Sequence, residues 1–93
     1  MAVALPDKQT KPEEKVQPPC RVVLYNDDWH TFDEVALQIV KATGCDPETA
    51  WGMAVNVDRN GREVVFHGAR AACEKVAGVL RQIRLQTEVD GDF

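Results

Sequence analysis

From Cys20 onward the apolar positions change period repeatedly, and each change predicts a new element. CRVVLY, residues 20–25, is a short run rich in β-branched and aromatic side chains, the composition of a strand. Thr31-Phe32-Asp33-Glu34 then has the form of a capping box, in which the hydroxyl takes an amide three residues on and the Glu reaches back. A helix is predicted from there to about Thr43, with Phe32, Val35 and Ile39 on one stripe, Ala36 and Val40 beside it, and Gly44 as its stop. Asp46-Pro47-Glu48 opens a second helix, with Asp as cap and Pro at the first position, and Ala50, Met53, Ala54 and Val57 as its apolar stripe.

Asn60-Gly61 signals a turn, REVVFH predicts a second strand, and Gly68 breaks it. Ala69 to about Leu80 predicts a third helix, with Ala72, Val76, Val79 and Leu80 inward. Ile83, Leu85, Thr87 and Val89 alternate with Arg84, Gln86 and Glu88, which predicts a strand with one wet face. The order is β-α-α-β-α-β. Three strands with helices on one face make a small α+β sandwich, a single domain over residues 20–90. Residues 1–19 carry Pro6, Pro12, Pro18 and Pro19 among Lys, Glu and Gln without periodicity, and read as a disordered N-terminal arm.

Size and charge then narrow the function. A chain of 93 residues holds one modest core, burying roughly 60–65% of its unfolded surface, and no deep enclosed active site. A net charge of -4 argues against nucleic acid as partner, because phosphate binding needs a basic face. Cationic partners, or partners with a free amine, suit it better. No apolar run approaches a membrane span, and MAVALPDKQT reaches Pro and Asp before any signal-peptide core forms. Cys20, Cys45 and Cys73 are odd in number and lack CxxC spacing, which predicts buried free thiols in a reducing compartment. A monomer in the cytoplasm, with no cofactor, is the expectation.

The segment LYNDDWHTF, residues 24–32, crowds an amide, two carboxylates, an imidazole and two large rings into one turn. Phosphate loops, GxSxG and HExxH are all missing from the chain, so no enzyme motif explains the crowding. Asp27, Asp28 and His30 could hold a divalent metal, but metal sites draw three or four ligands from converging elements and one cluster is evident. Asn26 and Asp27 could merely end the first strand, as Asn and Asp favour turns. That account leaves Trp29 and Phe32 unexplained. Carboxylates and an amide oxygen beside apolar groups also suit an ammonium carried on a hydrophobic residue, as at a free peptide N-terminus. Trp51 reads as helix packing or a half-exposed ring, His67 as a polar strand edge, and Met53 as core.

VVLYNDDWHTFDEV, the helix pair after it, and VNVDRNGR together resemble the ClpS adaptor family of N-degron recognition, and also the ClpS-like domain of eukaryotic N-recognin ubiquitin ligases. The resemblance runs from Cys20 to about Val89 and implies the same fold. It implies an adaptor, not an enzyme, that delivers proteins bearing N-terminal Phe, Tyr, Trp or Leu to a Clp-type AAA+ unfoldase and its peptidase. It implies that Asn26 bonds the substrate α-amine, with Asp27 and Asp28 as further acceptors, directly or through water. His30, Phe32, Val35, Ala54 and Val57 would line the side-chain pocket, Phe32 standing where a gating Met is common. Asp58 stands where bacterial members usually have an amine-binding His, and Ala54 where a larger residue, commonly Met, is found. Lys75 matches a Lys on the unfoldase-docking face, and Arg70 stands where bacterial members tend to carry an acid. The alternative is a protein-interaction module of this fold without N-terminal recognition.

Overall fold

The computed structural model describes residues 19–91. The expected arm, residues 1–19, lies outside the described residues except at its last position. The order is β1 (Cys20–Tyr25), α1 (Phe32–Thr43), α2 (Pro47–Asn60), β2 (Arg62–Gly68), α3 (Arg70–Arg81) and β3 (Thr87–Asp90). No described helix is long and apolar enough to cross a membrane.

β1 is the central strand, antiparallel to both β2 and β3, in the order β2-β1-β3. Its composition accounts for that place. Val22, Val23 and Leu24 are 0%, 7% and 0% exposed, as suits a strand with a neighbour on each side. Val22 and Leu24 meet Val65 and the helices in one core with Ile39, Ala54, Val57, Val76, Ala77 and Leu80. The register slips between Val22 and Val23, whose partners are Phe66 and Val64, and the extra residue, Val65, turns into the core. On the outer face Arg21 pairs with Asp90 at 2.9 Å. Tyr25 donates its hydroxyl to Glu88 at 2.6 Å. That bond, ahead of burial, holds the phenol above its usual range.

The helix ends follow from local chemistry. Thr31 accepts the Glu34 N–H at 3.1 Å and donates its own N–H to the Glu34 carboxylate at 2.8 Å, the reciprocal capping box. Asp46 accepts the Thr49 N–H at 2.8 Å, with Pro47 in the first turn.

Two expectations need correction. β3 begins at Thr87, not Ile83. α3 runs to Arg81, and residues 82–85 form the turn that reverses the chain, with Arg84 at φ 66° and its N–H bonded to Arg81 O. The apolar alternation through Ile83 and Leu85 reflects that turn packing on the core, where Leu85 is 3% exposed. The buried face of α3 is Cys73, Val76, Ala77 and Leu80, while Ala72 and Val79 stand at its margins. Gln38, on α1, is buried with its amide donating to Val79 O at 2.7 Å, a carbonyl near the end of α3 that also accepts the Gln82 N–H at 3.1 Å.

Cys20 and Cys73 are buried, Cys45 is half-buried, and all three thiols are unbridged. Burial pushes the Cys73 thiol up from its usual range.

Candidate functional site

The turn after β1, the start of α1 and the second half of α2 converge on one cavity. Leu24, Tyr25, Asn26, Asp27, His30, Phe32, Val35, Ala54, Val57, Asp58 and Leu85 line it. The apolar lining comes from the helical spacing: Ala54 and Val57 are three apart on α2, and Phe32 and Val35 three apart on α1, so each pair shares a face. The polar lining gathers at one end, where Asn26 and Asp27 leave β1. Asp58 joins them because it is one residue beyond Val57, on the last turn of α2. A backbone bond clamps the two elements, from Asn26 N–H to Gly61 O at 2.9 Å.

Asp27 organises the turn. Its Oδ1 accepts the N–H groups of Trp29 at 3.1 Å and His30 at 3.0 Å, and its Oδ2 faces His30 Nδ1 at 2.6 Å. Burial alone would raise its pKa, but the bonds from His30 and Trp29 outweigh it and hold the carboxyl below its usual range. A carboxylate offers about four lone-pair positions, so these three contacts leave roughly one to spare. His30 is equally engaged. Its side chain is 3% exposed, and Nε2 donates to Ile83 O at 2.7 Å, which ties this turn to the one after α3. Trp29 stacks on the imidazole with ring centroids 3.8 Å apart.

By contrast, the side chains of Asn26 and Asp58 make no hydrogen bond or ion pair among the described residues, and both are exposed at the cavity. The free acceptors of the site are therefore one amide oxygen and one carboxylate, with the spare lone pair of Asp27 beside them. Acceptors of this kind are complementary to a cation that donates several hydrogen bonds, and the apolar walls to a hydrocarbon attached to it.

The structure brings all the pocket residues named from the sequence to this cavity except Asp28, which is exposed and outside the lining. Leu24, Tyr25 and Leu85 line it as well; composition marked the first two, and alternation the third, as strand residues. His67 is exposed on β2, and Met53 is half-buried against the core. Lys75 is exposed on α3 and takes no part in the cavity, and Arg70 pairs with Glu74 at 3.3 Å. Among the described residues no group of three or more His, Cys, Asp or Glu is arranged to hold a metal ion.

Fold and cavity together define a small α+β domain with a one-ended acidic pocket. Residues 15–88 match the family model described as ATP-dependent Clp protease adaptor protein ClpS, and the chain belongs to that family. It is 30% identical over 81 residues to the ATP-dependent Clp protease adapter protein ClpS of Nostoc sp., covering 86% of this chain and 84% of that protein. It is also 38% identical over 58 residues to the human E3 ubiquitin-protein ligase UBR2, covering 62% of this chain. The match spans only 3% of that ligase's length. Among solved structures, Agrobacterium tumefaciens ClpS2 bound to L-phenylalaninamide is similar in fold, with a TM-score of 0.77 and 18% identity over 83% of this chain and all of that one.

Proposed function

We propose that this protein is an adaptor that captures proteins by a free N-terminal bulky hydrophobic residue, Phe, Tyr, Trp or Leu, and delivers them to a Clp-type AAA+ unfoldase for degradation. The observation that carries this reading is the joining of unengaged acceptors and an apolar body in one cavity. An α-ammonium and the side chain on the same carbon are the ligand that such a cavity fits. In this reading Asn26 and Asp58 take the ammonium, and Asp27 contributes its last lone pair while holding the turn. Asp28 acts only through water or not at all. Phe32, Val35, Ala54 and Val57 take the side chain, with His30 as a fixed wall.

Family membership supports the adaptor role, and the L-phenylalaninamide bound to the Agrobacterium protein, a benzyl group beside a free amine, is the same kind of ligand. The family model over residues 15–88 is that of a Clp protease adaptor, which supports a Clp-type recipient. Lys75 on the exposed face of α3 is the residue we assign to docking. Residues 20–90 form the binding domain, residues 1–19 an arm used in delivery, and the free thiols suit the cytoplasm.

Titration of a labelled peptide that begins with free Phe, against its N-acetylated copy, tests this. Acetylation removes the ammonium and leaves the side chain. Binding of the free peptide alone is expected; equal binding of the two, or of neither, is incompatible with amine capture.

A further inference from the structure

The cavity is too small for the side chains proposed to enter it, and among its apolar walls that mismatch singles out one. It measures about 40 Å³, whereas a cavity of about 150 Å³ is the size that admits benzene. A phenyl or isobutyl group therefore enters only if a wall moves. Leu24, Ala54, Val57 and Leu85 are at most 3% exposed and Val35 is 9% exposed. They belong to a close-packed core that resists displacement. Phe32 is 39% exposed and occupies the first position of α1, where its ring can swing toward solvent.

Trp51 faces that ring. The two centroids lie 5.6 Å apart at an interplanar angle of 79°, the edge-to-face arrangement that aromatic pairs favour. Trp51 is 44% exposed, stands outside the core cluster and does not line the cavity itself. It precedes Ala54 by three residues, so it rides the same face of α2 just beyond the cavity. Core packing does not account for a large ring in this place. Contact with Phe32 does.

We propose that Trp51 is a specificity-determining residue that acts through Phe32: it latches the movable wall shut, and only a first side chain that displaces Phe32 from it gains the pocket. This rests on the amine-capture reading above. Trp51 touches no ligand and is a positioning residue. A side chain no larger than a methyl fits without moving Phe32 and does not feel the latch. Larger side chains do.

The test compares the wild type with Trp51→Ala and Trp51→Phe, using labelled peptides that begin with Phe, Leu or Ala and differ nowhere else. Equilibrium affinities and association rates are both recorded. Trp51→Ala is expected to strengthen binding of the Phe and Leu peptides about two- to tenfold, the equivalent of one aromatic pair. The gain should lie mainly in faster association, with the Ala peptide unchanged. Trp51→Phe keeps a ring partner and should stay near the wild type. A purely structural role for Trp51 has the opposite sign, weakening all three peptides alike. Unchanged or weaker Phe binding by Trp51→Ala, or equal changes for Phe and Ala peptides, overturns the latch while leaving amine capture standing. A wild type that binds none of the peptides overturns amine capture, and the latch with it.

Discussion

The N–H of Asn26 donates to the carbonyl of Gly61 at 2.9 Å, and that single bond sets the polar end of the cavity. Gly61 caps α2 at φ 85°, with its own N–H bonded to Val57 O, so its carbonyl is aimed by a left-handed residue that an L side chain disfavours. The carbonyl then fixes where the chain leaves β1. Asn26 from the sheet and Asp58 from the last turn of α2 are held together without bonding each other.

That relationship predicts a separable effect of Gly61→Ala. No atom lies within 4 Å of the position a Cβ would take, so the substitution adds backbone strain and no clash. Strain of this kind costs about 1–2 kcal/mol. Gly44→Ala is the control, since it shares the positive φ of 78° and the open surroundings but caps α1 away from the cavity. Denaturant titrations should show similar stability losses in both proteins, while affinity for a Phe-initiated peptide falls only in Gly61→Ala. Equal affinities in the two variants would break the link between the α2 cap and the site.

Asp58→Asn removes the unengaged carboxylate and preserves shape. Because Asp58 is exposed, solvent screens its pairing with an ammonium, and the loss should be about 1 kcal/mol, roughly fivefold in affinity. Asn26→Ala should weaken binding by a similar or larger factor through the lost amide oxygen. Asp28→Asn, outside the lining, should change affinity less than either. Isothermal titration of the three variants with one peptide ranks them, and a dominant Asp28 effect would contradict the assignment.

Acid stability should report on Asp27. Burial pushes its pKa up, the His30 and Trp29 bonds push it further down, and the folded value lies below the ordinary 3.8. A depressed carboxyl contributes stability that is fully present above its unfolded value and is lost as pH falls through its folded value. The wild type should therefore lose stability as pH drops from about 4 toward 2, and Asp27→Asn should lose less across that window. Asp46, held low chiefly by the Thr49 N–H, works in the same window, so the Asp27→Asn slope is reduced but not flat. Urea midpoints measured from pH 5 downward decide it; parallel curves for wild type and variant would mean that the Asp27 bonds do not form.

Ala54→Met should tighten the pocket selectively. Ala54 is 2% exposed against a cavity of about 40 Å³, so extra methylenes fill the space that the ligand needs. Overpacking typically costs about 1–3 kcal/mol, and the largest first residue should bear most of it. The ratio of dissociation constants for Trp- and Leu-initiated peptides should rise in the variant. An unchanged ratio in a folded protein would remove Ala54 from the specificity pocket.

The helix ends, which are decided within a few residues of chain, were determined by the sequence itself. The Thr31–Glu34 capping box, the Asp46-Pro47 start and the Gly44 and Gly61 stops are each a donor and an acceptor separated by one helical turn, so residue types suffice to find them. The Asn26-Asp27 turn was visible for the same reason, and with it the acidic end of the cavity. Tertiary structure decided what depends on partners distant in the chain. Whether Ile83 belonged to a strand hung on where α3 stopped, and the answer was a turn whose carbonyl takes His30 Nε2 from 53 residues away. Gln38 is buried with its amide bonded to Val79 O, 41 residues on, a pairing that no periodicity encodes. Asp27 differs from exposed Asp28 by local bonds to Trp29 and His30, but the His30 ring that faces it is held from its other side by distant Ile83 O. Trp51 is an unremarkable helix position until α1 brings Phe32 against it. Local hydrogen bonding and burial period are written in neighbouring residues, whereas the contacts that shape this cavity exist only after the helices have packed on the sheet.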